Sequence, residues 1–429
     1  MFDKMIEDLK NKKICILGFG KEGKSTYNYL TSHGITNIKV HDKVMQEVDG
    51  VYGADYLNNL DKYDIIIKSP AISLKDIDIT NIKDKLSSEL ELLLEYSKST
   101  IIGITGSKGK STTTSLIYEM LKANGLDTYL LGNIGIPIFD YLDSFNENSY
   151  LVIEMAALQL EYVCHSPHIG VITNLFEEHL DHFGTLDKYY NAKLNMFKYQ
   201  NSSDYAIYSK DNEDLAKLVN EGKYKSRMIP TSLDNIVDDY IMIDGEKVYN
   251  INNKRTLLGR HNLANIINAL NVCNVLKLDM NKCVMAITDF KTLPHRMELV
   301  GTYDGITYYD DAIATIPEAT IDCIDALKNV DTLITGGKDR GIDYTPLVDY
   351  INNSNITNVI CMPETGYKIE KLINKKTYHI EELEDACKVA KEVTKKGAIC
   401  LLSPSASSYN KFKNFEEKGN YFQKYVKGE

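Results

Sequence analysis

Ile101-Ile102-Gly103-Ile104-Thr105-Gly106-Ser107-Lys108-Gly109-Lys110-Ser111-Thr112-Thr113-Thr114 decides how this chain is read. A β-branched run, which reads as a buried strand, gives way to a Gly/Ser/Lys loop and then to a helical stretch, Ser115 to Lys122. Strand, glycine loop and helix in that order aim backbone N–H groups at an anion. Lys110 is placed to reach terminal phosphates, and Ser111 or Thr112 to offer a hydroxyl to Mg²⁺. The spacing departs from the standard Walker A pattern, because only two residues separate Gly106 from Gly109-Lys110. A plain glycine-rich turn is the competing reading. The glycine-lysine-hydroxyl triplet after an apolar strand disfavours it, and the stretch predicts an ATP site.

Composition frames that site. A chain of 429 residues is expected to form two or three domains with a large buried core. Apolar residues make up 43% and charged ones 25%, as in ordinary globular proteins. A formal charge of −11 argues against a general nucleic-acid binder, whose affinity rests on a basic face. No window approaches the ~20 apolar residues of a membrane span, and Met1 to Lys13 lacks the apolar centre of a signal peptide. The eight cysteines (Cys15, Cys164, Cys273, Cys283, Cys323, Cys361, Cys387, Cys400) include no C-x-x-C pair, so reduced core thiols and a cytoplasmic setting are expected.

Upstream of the loop, a strand from Ile14 to Leu17 runs into Gly18-Phe19-Gly20-Lys21-Glu22-Gly23 and a helix from about Ser25 to Ser32. A second strand, Ile38 to His41, ends at Asp42, and a third, Asp64 to Lys68, stops at Ser69-Pro70. This is the Gly-x-Gly-x-x-Gly fingerprint with an acid about twenty residues on. It suggests NAD(H), or more generally any nucleotide diphosphate at a helix N-terminus. A helix from Leu86 to Tyr96 closes this first segment. Downstream, strands at Asp127 to Leu131, Tyr150 to Ile153 and Ile169 to Asn174 alternate with helices, which predicts a mostly parallel sheet. Short strands at Tyr240 to Ile243 and Lys247 to Ile251 and a helix from Ile266 to Leu276 follow. From Pro294 onward, strands at Thr332 to Thr335, Val359 to Cys361 and Ala398 to Leu402 repeat the doubly wound pattern. The expected class is α/β in three domains: residues 1–96 Rossmann-like, 97–293 a central P-loop ATPase-type domain with a mostly parallel sheet, and 294–429 again Rossmann-like.

Three places in the central segment suit metal-dependent phosphoryl chemistry. Glu154 closes the strand Leu151-Val152-Ile153, so its carboxylate stands where ligands bind, at the carboxyl end of a parallel sheet. Such an acid commonly serves Mg²⁺. His179, within Asn174 to His182, reads as a metal ligand or as a solvated loop histidine. Lys193 lies in an amphipathic helix, where a lone lysine usually snorkels to the surface.

The ordered motifs resemble the Mur ligases. They are Thr105 to Thr112, Gly132-Asn133-Ile134-Gly135, Glu154, Asn174 to Asp181, Ala192-Lys193, and Gly259-Arg260-His261-Asn262-Leu263-Ala264-Asn265. Pro294 to Glu298, Gly336-Gly337, Leu402 to Tyr409 and Phe412 to Phe415 extend the resemblance over essentially the whole chain. Within the family the motifs are most similar to the ligases that add D-glutamate to UDP-N-acetylmuramoyl-L-alanine. That resemblance implies an ATP-dependent amide-forming ligase of cytoplasmic peptidoglycan precursor synthesis, monomeric, with no nucleic-acid partner and no membrane insertion. ATP phosphorylates the substrate carboxylate, and the amine of glutamate attacks the acyl phosphate.

The resemblance also implies roles. Gly106, Ser107, Lys108, Gly109, Lys110, Ser111 and Thr112 hold the ATP phosphates, with Asn262 and Asn265 at the adenine and Arg296 and Asp311 at the ribose and phosphates. Ser111, Glu154, His179 and a carbamylated Lys193 form the Mg²⁺ site, and Lys110, Glu154, His179 and Lys193 the catalytic set. Gly20, Lys21, Glu22, Gly23, Asp42, Ser69, Asn133 and Gln159 hold the UDP-linked substrate, so the fingerprint passes from NAD to UDP. Thr315, Arg340, Ser408, Tyr409 and Phe415 surround the incoming amino acid.

The chain departs from the family pattern near the substrates. Ala71 stands in place of a glycine, Ala156 and Ala157 in place of serines, Ile313 in place of a lysine, and Arg340 in place of a lysine. Arg340 can still pair a carboxylate bidentately. L-Glutamate or another amino acid is therefore an alternative substrate. A folylpolyglutamate-synthase-like enzyme would not need residues 14–96, a dehydrogenase would leave the second loop unexplained, and a silent nucleotide- or partner-binding relative would not need Lys110, Glu154, His179 and Lys193 together.

Overall fold

Runs of β-branched and apolar residues become strands buried on both faces, as parallel sheets require. The computed structural model describes residues 1–132 and 137–428. Strands β1 (Ile14–Leu17), β2 (Ile38–Asp42), β3 (Gly50–Tyr52), β4 (Ile65–Lys68) and β5 (Leu86–Ser87) form a parallel sheet in the order β3-β2-β1-β4-β5. A second parallel sheet has the order β11-β10-β9-β6-β8-β7. Its strands are β6 (Thr100–Thr105), β7 (Thr128–Gly132), β8 (Tyr150–Glu154), β9 (Ile169–Ile172), β10 (Tyr205–Ser209) and β11 (Arg227–Thr231). A small antiparallel sheet follows, from β12 (Ile236–Val237), β13 (Tyr240–Ile243) and β14 (Glu246–Asn250). The last sheet runs β15-β16-β20-β17-β18-β19. It comprises β15 (Glu298–Tyr303), β16 (Ile306–Asp310), β17 (Val330–Thr335), β18 (Asn358–Cys361), β19 (Lys376–His379) and β20 (Ile399–Leu402), with only the β15–β16 pair antiparallel.

These sheets fall into two compact units, Met1–Lys254 with Ala264–Asp289, and Arg255–Leu263 with Phe290–Glu429. In the first unit one apolar cluster joins the first two sheets. Ile14, Ile16 and Leu30 pack in it together with Phe139, Leu142 and Leu151. The second unit has clusters of its own on the two faces of its sheet, around Leu333 and Leu347 and around Ile334 and Phe422.

Two boundaries differ from expectation for local reasons. The fingerprint helix starts at Lys21, not near Ser25, because Gly20 itself takes the extended N-cap position. The helix expected from Leu86 begins only at Glu89. Ser88 caps it by accepting from the N–H of Glu91 at 3.0 Å, and Leu86–Ser87 pair with β4 instead. All eight cysteines are free, and of them only Cys164 is exposed. Among the described residues no helix is long and apolar enough to cross a membrane.

Candidate active site

The loop Gly106–Gly109 leaves the carboxyl end of β6, between the ends of β8 and β9. The helix that follows spans Lys110–Ala123, longer than the expected Ser115 to Lys122. Gly106 sits at φ +147°, and a Cβ there would lie 1.9 Å from Thr173 Oγ1. Gly109 sits at φ +81°, where a Cβ would meet Asn265 Oδ1 at 2.4 Å. Neither position admits a side chain without displacing a neighbour.

Residues after β9 brace this loop. Thr173 Oγ1 donates to the carbonyl of Lys108 at 2.6 Å, and Asn174 Oδ1 accepts from its N–H at 2.8 Å. Ser107 Oγ donates to the carbonyl of Phe176 at 3.0 Å and accepts from its N–H at 2.8 Å. Two ammonium groups converge on one atom: Lys110 Nζ and Lys193 Nζ donate to the carbonyl of Gly106 at 2.9 and 2.7 Å.

Lys193 does not snorkel. It is 1% exposed, on the inner face of the helix Leu186–Lys198. Burial and then the neighbouring Lys110 push its ammonium well below the ordinary lysine range, against the pull of Glu178 and Glu154. Its Nζ lies 4.9 Å from the ring centre of Tyr189. The Tyr189 hydroxyl reaches Ser107 Oγ at 3.1 Å and donates to Glu178 Oε2 at 3.3 Å. His179 begins the short helix Leu180–Phe183 at φ +55°, its ring centre 6.0 Å from that of Tyr189. Glu154 ends β8 and is 2% exposed. Lys110, Glu154, His179 and Lys193 are therefore drawn to the same edge of one sheet, with Tyr189 and Glu178 among them.

At the first sheet, the Gly18 turn follows β1. Gly23 packs so closely that a Cβ would lie 2.1 Å from the carbonyl of Gly18. Asp42 Oδ2 accepts from the N–H of Phe19 at 2.6 Å, and Ser69 Oγ donates to the carbonyl of Gly18 at 2.8 Å. Gln159 joins the two sheets: its amide donates to Glu22 Oε1 at 3.2 Å, and its Oε1 accepts from the N–H of Ala156 at 3.0 Å. Burial raises the Glu22 carboxyl above its ordinary range, opposed by the bond from Gln159 and by Lys68. Asn133 lies outside the described residues.

In the second unit, Asp311, Gly336 and Ser403 follow the carboxyl ends of the adjacent strands β16, β17 and β20. Burial raises the Asp311 carboxyl to about 7, against the bond from Ser403 Oγ at 2.9 Å and the charge of Arg296. Gly336 packs against the carbonyl of Met362 and Gly337 against Ala406 and Ser407, and Lys338 N donates to the carbonyl of Ser407 at 2.7 Å. The hydroxyls of Ser407 and Ser408 are buried and find no partner among the described residues. Thr315 and Phe415 are half-buried, while Arg340 and Tyr409 are exposed. Asn262 belongs to this unit, its amide donating to the carbonyl of Leu258 at 2.7 Å, whereas Asn265 belongs to the first and accepts from Thr113 Oγ1 at 3.2 Å.

Residues 104–273 match the Mur ligase middle domain, and residues 295–406 match the Mur ligase, glutamate ligase domain. Over 99% of its length the chain is 33% identical to the UDP-N-acetylmuramoylalanine--D-glutamate ligase of Clostridium botulinum strain Langeland, covering 98% of that protein. The enzyme of the same name from Clostridium kluyveri is 34% identical, at the same coverages. The chain belongs to the Mur ligase family. Solved Mur ligases share its fold. The MurF ligase of Thermotoga maritima in complex with ADP superposes with a TM-score of 0.62 at 19% identity, covering 99% of this chain and 97% of that one. The folylpolyglutamate synthase/dihydrofolate synthase of Yersinia pestis gives a TM-score of 0.61 at 14% identity, but covers only 82% of this chain and 95% of its own.

As a Mur ligase, the protein is an ATP-dependent amide-forming enzyme, and its three-domain α/β fold is that of the family. Some residues at the sites carried no motif in the sequence. Tyr189 is one. Lys418 is another: it is 2% exposed, donates to the carbonyl of Gly336 at 2.8 Å, and is pushed down to about 7 by burial. Nothing in a single sequence marks a lysine that ends up buried. His295 and Glu298, within the motif Pro294 to Glu298, join a network that no motif announced: His295 with Asp310 at 2.7 Å, and Gln423 with Asp310 and Glu298 at 3.0 Å each.

Proposed function

We propose that this Mur ligase joins D-glutamate to UDP-N-acetylmuramoyl-L-alanine in the cytoplasm, as a monomer. The observation that carries the reading is the end-to-end match to D-glutamate ligases, with two separate glycine cradles in one unit to receive two nucleotides. The division of labour follows residues 1–96 for the UDP end, 97–293 for ATP, and 294–429 for the amino acid with a grip on the nucleotide.

The residues fit ATP and Mg²⁺. Gly106 and Gly109 let Thr173 and Asn265 close on the loop where a Cβ would collide, which holds the turn at the helix N-terminus in place for phosphates, and the donor set of Ser111, Glu154, His179 and a modified Lys193 is mostly hard oxygen, as Mg²⁺ prefers. When bound, these groups supply the phosphoryl group and neutralise its charge. Lys110 and the loop from Gly106 to Thr112 orient the phosphates. Lys193 is suited to carbamylation, because its burial favours the neutral amine, the form that reacts with CO2. The carbamate converts a cation crowded against Lys110 into an anionic oxygen ligand. Asn262, Asn265, Arg296 and Asp311 hold the rest of ATP. Gly20 to Gly23, Asp42, Ser69, Asn133 and Gln159 hold the UDP-linked substrate, although Gln159 also ties Glu22 to the strand end that carries Glu154. Ser408, with its buried free hydroxyl, receives the amino acid beside Thr315, Arg340, Tyr409 and Phe415.

The test is release of phosphate from ATP, expected only when Mg²⁺, UDP-N-acetylmuramoyl-L-alanine and D-glutamate are all present. Turnover without the UDP-linked acceptor, or with a folate in its place, would sink the proposal. L-Glutamate in a parallel arm tests the departures at Ile313 and Arg340.

A further inference from the structure

The first sheet changes direction at β1: β2 and β3 extend it one way, β4 and β5 the other. In open parallel sheets the crevice at the carboxyl ends beside such a switch receives ligands. Lys68 is the last residue of β4 and stands in register with Leu17, the last residue of β1. It is 5% exposed. Its Nζ donates to the carbonyl of Ser69 at 3.1 Å and, more weakly, to that of Pro70 at 3.4 Å. An ammonium has three protons to give, and among the described residues no carboxylate forms an ion pair with this one. A buried charge without a paired countercharge is costly to hold. Its place beside the glycine turn gives it a use. Ser69 binds the carbonyl of Gly18, and a Cβ on Gly18 would lie 2.9 Å from Ser69 Cβ.

We propose that Lys68 grips the nucleotide-linked substrate, its ammonium donating to a phosphate oxygen of the diphosphate in the switch-point crevice. The proposal rests on the reading of the first sheet as the UDP site and adds to it a residue that no glycine motif includes. The surrounding charges leave room for an anion. Glu22, on the fingerprint helix, has its carboxyl raised by burial. Glu161 is engaged with His182 Nε2 at 3.0 Å, and the Tyr162 ring centre lies 5.7 Å from the ammonium. Burial pushes Lys68 down to about 8, opposed by Glu161 and Glu22. Protonation at neutral pH thus persists and is lost within reach of a titration.

The experiment is calorimetric binding of UDP, with uridine as the ligand lacking phosphates, to the full chain and to Lys68→Met and Lys68→Arg. Circular dichroism checks that the variants fold. Loss of one charge-assisted bond predicts roughly 10- to 100-fold weaker UDP binding by Lys68→Met. Lys68→Arg should recover most of it, and uridine should bind all three alike. Wild-type affinity for UDP should fall as pH rises through about 8, while that of Lys68→Arg stays flat. Folded Lys68→Met that binds UDP like the wild type overturns the proposal alone, as does uridine weakened as much as UDP. A wild-type chain that does not bind UDP overturns the proposal together with the reading beneath it.

Discussion

At the end of β1 the chain turns through glycines into a helix at Lys21; at the end of β6 it does so again into a helix at Lys110. Both turns need glycine because the chain packs too closely for a Cβ, yet their backbones are held by opposite charges. In the first, the Asp42 carboxylate accepts from the N–H of Phe19. In the second, the ammonium groups of Lys110 and Lys193 donate to the carbonyl of Gly106. The glycines say that a phosphate fits, and the side chains gripping the loop say what happens to it. Where Lys110 reaches the loop and Lys193 is placed to become a metal-holding carbamate, charge can be stabilised as it moves between groups. Where an acid anchors the loop and no catalytic set is gathered, the proposed role is to hold a nucleotide without cleaving it.

The largest expected effect tests the cationic loop. Lys110→Ala should lower turnover by roughly 10²- to 10³-fold, the usual loss when a charge-stabilising donor is removed from the reacting centre. Thermal stability should change little, since Lys110 is only half-buried. Phosphate release under saturating substrates measures it, and a loss confined to KM would erase the contrast between the loops. Lys193→Ala should cost about 10²-fold, and added short carboxylic acids should restore part of the activity by standing in for the carbamate. Full activity without them would show that Lys193 is only a brace for Gly106.

The anionic loop should answer differently. Asp42→Ala removes a bond to a backbone amide, and a charged hydrogen bond of about 1.5–3 kcal/mol corresponds to roughly 10-fold or more in KM for the UDP-linked substrate. The kcat and the KM for ATP should stay near wild type. If kcat fell as far as in Lys110→Ala, the two cradles would not be separable in function.

The contrast was only partly legible in the sequence. Ile14–Leu17 and Thr100–Thr105 announce themselves because strands buried on both faces need continuous apolar runs, and each loop carries a spaced glycine pattern. The β15–β16 hairpin did not show, although Asp304-Gly305, at φ +52° and +82°, is a two-residue turn signal. Its first strand is bulged between Leu299 and Gly301 and only half-buried, which blurs the alternation. Lys68, Tyr189 and Lys418 were silent for a different reason. Each matters through its burial, and burial of a single lysine or tyrosine leaves no local signature in the sequence.

The smallest effect concerns Glu22, where the first cradle meets the second sheet through Gln159. Its carboxyl is raised above 4.5, first by burial, against the bond from Gln159 and the charge of Lys68. Between that unfolded value and the higher folded one, the folded chain keeps a proton that the unfolded chain has released. Stability contributed by this group is therefore present in full below pH 4.5 and is lost as pH rises through the folded value. Glu22→Gln has no such slope. The difference in melting temperature, variant minus wild type, should rise with pH from about 4.5 and then level off. A flat difference would mean that Glu22 ionises freely in the fold. The cradle would then carry two full acids, Asp42 and Glu22, beside the diphosphate it is meant to hold, and the division between an anchoring loop and a reacting loop would need another source of positive charge than Lys68.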